Sequence, residues 1–163
     1  MENSAIVKMT KKYMEKHLAE LLSLEHNWKG EDIGEGELWD EKSFLWEAPR
    51  KWEFSLAVES SGKIIGYLIG SQKTSATHDN DVAYIHRIVV DAPYRREGMG
   101  TRLMKEFEDS SMKFGLIEVQ LRAFVGNEGA NEFYKKLGYT TNPEDDIVTQ
   151  DGRLRHVYKK PLA

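Results

Sequence analysis

The spacing of apolar residues in the first third of the chain predicts one short strand followed by two helices. Residues 5–9 favour the strand, and apolar side chains recur at helical spacing over residues 11–25. Thr10 stands directly before that stretch, and threonine is a common helix N-cap. A shorter helix is expected over residues 40–47, because Pro49 disfavours helical backbone in the residue before it.

The middle of the chain carries the clearest strand pattern. Residues 54–59 and 63–72 favour two antiparallel strands joined by a turn at 60–62. Residues 83–90 are rich in β-branched and aromatic side chains, which favours a third strand. An amphipathic helix is predicted over 101–114.

The last third continues the alternation of strands and helices. Strands are predicted over 116–123, 139–141 and 154–160, a helix over 130–137, and a polar turn over 145–153. This order predicts an α/β (α+β) fold, in which a mixed sheet packs against helices and one helical crossover lies in the middle of the chain.

Composition narrows the class of protein. A chain of 163 residues is expected to form a single domain over 1–163, and 40% apolar with 31% charged residues is usual for a soluble globular protein. There is no cysteine, which excludes disulfides, a thiolate nucleophile and a cysteine-based zinc site. No apolar run is long enough to cross a bilayer or to form a signal peptide, so the expectation is a cytoplasmic protein with no membrane partner.

The distribution of charge bears on the partners. A net charge of −4 argues against nucleic acid as the main partner. One segment, residues 30–41, carries only acidic charges. It could attract a positively charged substrate, or it could be a solvated loop. The acidic residues are Glu31, Asp32, Glu35, Glu37, Asp40 and Glu41.

A glycine-containing segment at a strand-to-helix junction carries the strongest chemical signal. Residues 95–101 read RREGMGT and lie between the strand at 83–90 and the helix at 101–114. Such a junction leaves backbone N–H groups uncovered at the positive end of a helix dipole, which suits a pyrophosphate. Gly98 and Gly100 would let the backbone approach the ligand. A plain helix-entry turn is the alternative.

A second motif follows the glycine segment, and the two motifs together resemble those of a known protein family. Residues 90–100, VDAPYRREGMG, resemble the acetyl-CoA signature of the GNAT-type N-acetyltransferases, and residues 127–139, NEGANEFYKKLGY, resemble the second signature of that superfamily. The ending YKKPL at 158–162 is also similar. Either motif alone would be weak, whereas both in this order and at this separation are specific. Element order extends the resemblance over essentially the whole chain.

The resemblance implies a fold and a cosubstrate. Members have a mixed, mostly antiparallel sheet of six to seven strands with about four helices, splayed between the fourth and fifth strands. The implied reaction moves an acetyl group from acetyl-CoA to a primary amine by direct attack in a ternary complex, without a metal. A non-catalytic acyl-CoA-binding regulatory module and a nucleotide-binding domain are the alternatives. A monomer and a homodimer both remain open.

The resemblance also assigns residues to the cofactor. Backbone groups of the fourth strand would pair with the pantetheine arm, the glycine segment would hold the pyrophosphate, and Arg95 or Arg96 would reach the 3′-phosphate. Tyr134 matches the family tyrosine, whose phenol would protonate the departing thiolate. It could instead be a packed aromatic residue. The cofactor-binding residues implied are Ile88, Val89, Val90, Arg95, Arg96, Glu97, Gly98, Met99, Gly100, Thr101, Asn127 and Tyr134.

The resemblance identifies the general base less clearly than it identifies the cofactor-binding residues. Members often place an acidic residue in the middle of the fourth strand, where this chain has Tyr84, His86 and Arg87. His86 would share the strand face of Ile88 and Val90 and is a candidate base, since an imidazole titrates near neutrality. A water chain to solvent or a buried structural imidazole would serve as well.

The acceptor pocket would be shaped by the first two helices and their connection. Acidic and aromatic side chains there would suit a small cationic amine, although Arg87 opposes a polyamine. The α-amine of a protein N-terminus is the alternative acceptor. All four tryptophans precede the predicted hairpin, and they could equally pack the helices onto the sheet. The substrate-binding residues predicted are Trp28, Glu31, Asp32, Glu35 and Tyr84.

Overall fold

The computed structural model describes residues 3–29, 38–73 and 81–162. These form an eight-stranded sheet of order β1-β2-β3-β4-β5-β8-β6, with β7 beside β8. The β4–β5 pair is parallel and every other pair is antiparallel. The strands are β1 (Ser4–Lys8), β2 (Leu56–Ser60), β3 (Lys63–Gln72), β4 (Val82–Val90), β5 (Glu118–Phe124), β6 (Thr140–Thr141), β7 (Ile147–Val148) and β8 (Leu154–Pro161).

Six α-helices lie within the described residues. Two more than expected are found, because the helix predicted over 11–25 is divided at His17 and because a one-turn helix precedes β2. The Thr10 side chain accepts a hydrogen bond from the backbone N–H of Tyr13, which confirms the predicted N-cap. The helices are α1 (Lys11–Lys16), α2 (Leu18–Lys29), α3 (Glu41–Leu45), α4 (Lys51–Phe54), α5 (Met99–Lys113) and α6 (Glu128–Lys136).

The strand count exceeds the expected six or seven because of two very short strands. Both β6 and β7 contain two residues and pair with β8. The segment predicted as a polar turn, 145–153, contains β7. A two-residue ladder leaves almost no periodic signal in a sequence, since strand patterns need several alternating positions.

The expected splay between β4 and β5 is confirmed. The parallel ladder pairs only three positions, from Val82 with Glu118 to Tyr84 with Gln120. Beyond Tyr84 the two strands separate, although β4 continues to Val90 and β5 to Phe124. The edge of β4 that faces β5 is therefore not engaged in the sheet over its second half.

A β-bulge on β4 changes which side chains share a face. Ile69 pairs with Arg87 and Gly70 pairs with Ile85, so His86 is an extra residue opposite the β3 backbone. Ile88 and Val90 pack against the same core as Ile85. The prediction that His86 shares a face with Ile88 and Val90 is therefore wrong, because simple alternation fails at a bulge.

Two cores cover the opposite faces of the sheet. The α5-side core includes Leu103 and Phe107 of α5 and, from β4, Ala83 and Ile85. The α2-side core includes Met14, Leu21, Tyr67 and Val89, with Trp28 and Trp39 packed at its edge. Because both faces of β4 are buried, its backbone is held rigidly beside the splay.

Candidate functional site

A cleft of about 740 Å³ opens where β4 and β5 diverge. Clefts of this size hold small organic ligands. Val89 and Glu97 are not part of the lining, and Val89 is buried in the α2-side core. The other predicted residues that the structure describes do line it: Trp28, Tyr84, His86, Ile88, Val90, Arg95, Arg96, Gly98, Met99, Gly100, Thr101, Asn127 and Tyr134.

The N-terminus of α5 opens into this cleft. The helix has no side-chain cap and no acidic residue in its first turn. Within the described part of the chain, no group accepts a hydrogen bond from the N–H groups of residues 98–101. The helix dipole adds partial positive charge at the same place. This end of the cleft therefore suits an anion, as the glycine segment predicts.

The two glycines of the segment serve different purposes. Gly98 has φ of 83°, a left-handed conformation that other residues adopt only with strain, and a Cβ there would meet no atom within 4 Å. A Cβ on Gly100 would lie 3.1 Å from Cζ of Phe133. Gly98 thus lets the chain turn into α5, whereas Gly100 lets α5 approach α6.

Arg95 is partly committed to the fold. Its Nε donates a hydrogen bond of 2.9 Å to the carbonyl oxygen of Val90. This contact ties the glycine segment to the end of β4. The next residue, Arg96, has a left-handed backbone conformation with φ of 64°. The predicted contacts of Arg95 and Arg96 with a 3′-phosphate remain predictions.

The turn between β5 and α6 is held by two asparagines. Asn127 is the N-cap of α6, and its Oδ1 accepts a hydrogen bond of 3.1 Å from the N–H of Ala130. Asn131, which the sequence analysis did not assign, donates from Nδ2 to the carbonyl oxygens of Phe124 and Asn127. The phenol of the buried Tyr158 donates to Oδ1 of Asn131. The spacing of Asn127 and Asn131, one helical turn apart, was the sequence signal that could have identified this pair of side chains.

Tyr134 lies on α6 at the cleft wall. Only 7% of its surface is exposed, and its ring packs against Phe133, Tyr139 and Tyr158 at centroid distances of 5.3, 6.1 and 5.5 Å. The ring is thus fixed on several sides while its residue still lines the cleft. Such a phenol can be both a structural aromatic and a proton donor.

His86 sits in a fixed, largely apolar setting on β4. Its Nε2 lies 2.7 Å from Oγ of Ser71, and its ring is flanked by Trp46 at 5.3 Å and Tyr84 at 4.8 Å. Burial and, to a lesser extent, the nearby charges of Lys51 and Arg122 together lower the pKa of His86 to about 4. The imidazole is therefore neutral at neutral pH.

Lys51 stabilises the segment that packs against His86. Its ammonium group is fully buried and donates to the carbonyl oxygens of Phe44 and Trp46. Burial lowers the pKa of Lys51 to about 8. The side chain fixes the segment after α3, which carries the tryptophan that flanks His86.

A buried ion pair closes the other wall. Arg87 donates to Glu25 at 2.9 Å, and the other carboxylate oxygen of Glu25 accepts from the phenol of Tyr67 at 2.8 Å. The Arg87 guanidinium lies 4.8 Å from the ring centroids of both Trp28 and Trp39. These two indoles thus already hold a cation that belongs to the chain itself. Glu25 was not predicted as a site residue, because 62 positions separate it from Arg87 and no local pattern links the two.

Several predicted residues fall outside the described ranges. They are the acidic residues Glu31, Asp32, Glu35 and Glu37. Their roles stay predictions. Among the described residues, no three histidine or carboxylate side chains cluster to hold a metal ion. No helix in the described ranges is long and apolar enough to span a membrane.

The sequence matches one protein family over most of its length. Residues 16–139 match the profile of the Acetyltransferase (GNAT) family. A protein of Methanocaldococcus jannaschii described as an uncharacterized N-acetyltransferase is 34% identical over 120 residues, which are 73% of this chain and 51% of that protein. This chain thus spans about half the length of that relative. The ribosomal protein bS18-alanine N-acetyltransferase of Escherichia coli is 27% identical over 117 residues, 71% of this chain and 74% of that protein.

Solved structures share the fold. The crystal structure of the ribosomal-protein-S18-alanine N-acetyltransferase from Escherichia coli has a TM-score of 0.75 at 20% identity and covers 98% of this chain and 94% of its own. Naa50 of Arabidopsis thaliana, solved in complex with the bisubstrate analogue CoA-Ac-MVNAL, has a TM-score of 0.74 at 22% identity, with 97% and 98% covered. At these identities the similarity shows the fold.

The low pKa of His86 makes a prediction about stability. Its pKa is about 4 in the folded chain against 6.5 ordinarily, so between these values the unfolded chain binds the proton more readily. Stability should therefore fall as pH falls from 6.5 towards 4. Between pH 7 and about pH 4.5, the wild type should lose about 2–3 kcal/mol more unfolding free energy than His86→Gln. Urea denaturation at both pH values measures this difference.

A histidine at the surface provides the control for this measurement. His26 is exposed on α2, and His26→Gln should keep the wild-type dependence on pH. An identical pH dependence in the wild type and in His86→Gln would contradict the prediction.

Proposed function

This chain belongs to the GNAT family of acetyltransferases, and on that premise we propose that it transfers an acetyl group from acetyl-CoA to the α-amine of a peptide or protein N-terminus. One observation carries the proposal: the N-terminus of α5 opens into the cleft beside the splayed edge of β4. Among the described residues, no group accepts a hydrogen bond from the N–H groups of residues 98–101 at this helix end. An anion site next to an unused strand edge suits a ligand with a pyrophosphate and a peptide-like arm.

The residues of the cleft divide naturally between the parts of acetyl-CoA. Gly98 and the first turn of α5 would hold the pyrophosphate, and Arg96 would add positive charge beside it. The β4 backbone from Ile88 to Val90 would pair with the amides of the pantetheine arm. Asn127 lines the cleft at the opposite wall. The thioester would then lie towards Tyr134.

Acyl transfer requires two proton movements. The amine nitrogen attacks the thioester carbonyl carbon, the new C–N bond forms and the C–S bond breaks. The departing thiolate takes a proton, for which Tyr134 is the proposed donor. After attack the amine nitrogen loses one proton to a water molecule that exchanges with solvent, and the Tyr134 phenolate regains its proton from solvent. An amine that arrives protonated must lose a further proton to solvent before it can attack.

The setting of the acceptor end favours an amine that loses its proton easily. The described lining residues include no aspartate or glutamate, and His86 is a weak base because burial lowers its pKa to about 4. An α-amine has an ordinary pKa of about 8, so about one molecule in ten is neutral at pH 7. A lysine-type amine, with a pKa of about 10.4, is neutral in roughly one molecule in a few thousand. The α-amine therefore needs less help from the protein.

Two relatives support this choice of acceptor by what they act on or bind. One is named as an alanine N-acetyltransferase of a ribosomal protein, and the other was solved with a bisubstrate analogue that joins CoA to a peptide. The small cationic amine remains the competing acceptor because of the acidic residues at 31–37. The stacking of Arg87 on Trp28 and Trp39 counts against it, since these rings already hold a cation.

An acceptor panel tests the proposed function directly. Release of free CoA from acetyl-CoA should be stimulated by short peptides with a free α-amine. Polyamines and peptides whose only amine is a lysine side chain should be at least about tenfold poorer by kcat/KM, because their amines are almost fully protonated. Matched peptides with an acetylated N-terminus are the control. Faster reaction with polyamines would overturn the choice of acceptor, and no reaction with any amine would overturn the enzymatic proposal.

Substitution of Gly98 tests the anion site. Gly98→Glu should weaken acetyl-CoA binding by at least about tenfold, because it places a negative charge at the helix N-terminus and strains a left-handed backbone. Isothermal titration measures the dissociation constant. Gly62→Glu is the matched control, since Gly62 also has positive φ and open space but lies in the β2–β3 turn. Equal affinity in folded Gly98→Glu would remove the assignment.

Substitution of Tyr134 tests the proton donor. Tyr134→Phe should keep acetyl-CoA affinity within a few-fold and lower kcat by about a hundredfold, because only protonation of the leaving thiolate is lost. Tyr139→Phe is the matched control. Its phenol donates to Glu108 at 2.8 Å, so it should lower the melting temperature and leave kcat near the wild-type value. An unchanged kcat in Tyr134→Phe, with reduced stability, would mean that this tyrosine is structural.

A further inference from the structure

The charged side chains in the described lining of the cleft are all basic. The lining contains five arginines and no carboxylate. Arg95 and Arg96 belong to the glycine segment, at the end that suits the cofactor. The other three stand around the acceptor end of the cleft. The five are Arg87, Arg95, Arg96, Arg122 and Arg155.

Two of the three arginines at the acceptor end are neutralised by the chain itself. The charge of Arg87 is balanced by Glu25 at 2.9 Å. Arg155 donates to Asp151 at 2.7 Å and to the Thr149 hydroxyl at 2.9 Å. Their net contribution to the field at the acceptor end is therefore small.

Arg122 is different from both. It lies on β5 between Leu121 and Ala123, whose side chains are buried in the α5-side core, so strand alternation turns Arg122 to the opposite face. Its Cζ lies 5.9 Å from the ring centroid of Tyr84 across the splay. Within the ranges that the structure describes, no carboxylate lies at ion-pair distance from it.

The charge of Arg122 reaches the groups that flank the acceptor. It helps to lower the pKa of His86, and it opposes the rise that burial causes in the pKa of Tyr84. A cation placed here would be repelled, whereas an anion would replace a missing counter-charge. The contact with the Tyr84 ring already restricts the guanidinium, so an ion pair there would cost less conformational entropy.

We infer that Arg122 selects acceptors with an acidic side chain within their first two residues, by pairing with that carboxylate while the α-amine reaches the thioester. The inference rests on the proposed function and names its substrate class more narrowly. A guanidinium pairs with a carboxylate through two parallel N–H···O bonds, which fixes the orientation of the acceptor as well as its charge. Arg122 is exposed to solvent, so the preference should be moderate and should weaken with salt.

The acidic residues at 31–37 predict the opposite preference. If they recruit the acceptor, a cationic peptide should react faster; if Arg122 selects it, an anionic peptide should. One series of peptides therefore distinguishes the two predictions.

The experiment measures kcat/KM at low and high salt for amidated peptides of equal length. They begin with Ala-Asp, Ala-Asn or Ala-Arg, and a second set begins with Asp-Ala or Asn-Ala. At low salt, at least one aspartate peptide should exceed its asparagine partner by about three- to fivefold. The ratio should fall towards one at high salt and in Arg122→Gln, and it should return in Arg122→Lys.

Arg153→Gln is the matched control for charge. Arg153 is exposed on the neighbouring turn, stacks on Phe124 and does not line the cleft, so its loss should leave the ratio at the wild-type value. Equal rates for aspartate and asparagine peptides in the wild type, or a ratio that persists in Arg122→Gln, would overturn the inference alone. A faster Ala-Arg peptide would overturn it in favour of the acidic segment. Failure to acetylate any peptide would overturn the proposed function and this inference with it.

Discussion

The separation of β4 from β5 after Tyr84 is the constraint on which the site depends. Backbone N–H and C=O groups inside a protein need partners, and a strand edge that leaves its neighbour gives up those of the sheet. The two strands stay paired at only three positions, so the second half of β4 faces a cleft instead of a strand. A ligand with peptide-like amides can supply the missing partners, which turns an interrupted ladder into a binding surface.

Packing on both sides keeps that surface in place. The bulge at His86 lets Arg87 face the α2-side core while Ile85 and Ile88 face the α5-side core. Arg87 is then held by Glu25. Removal of one partner from a buried ion pair commonly costs about 3–5 kcal/mol, because the other charge is left without compensation. The wall of the acceptor end is therefore rigid, and its tryptophans serve the fold as well as the cleft.

The glycine segment, residues 95–101, both lines one end of the cleft and allows two helices to pack closely. The left-handed backbone at Gly98 directs α5 so that its N-terminus faces the cleft, and the missing side chain at Gly100 lets Phe133 of α6 come close. The anion site and the helix that carries Tyr134 are thus positioned by the same turn. Polar contacts of Asn127 and Asn131 fix the other end of α6 against β5.

Features that depend only on neighbouring residues could be predicted from the amino-acid sequence. The strand at 82–90, the amphipathic α5, the Thr10 cap and the glycine segment all follow from local spacing and residue type. Features that depend on distant partners are set by the packing of the fold. Glu25 and Arg87 are 62 positions apart, and the bulge at His86 arises from the register with β3. Neither leaves a local pattern, because each is set by how elements pack and not by the order of residues within one element.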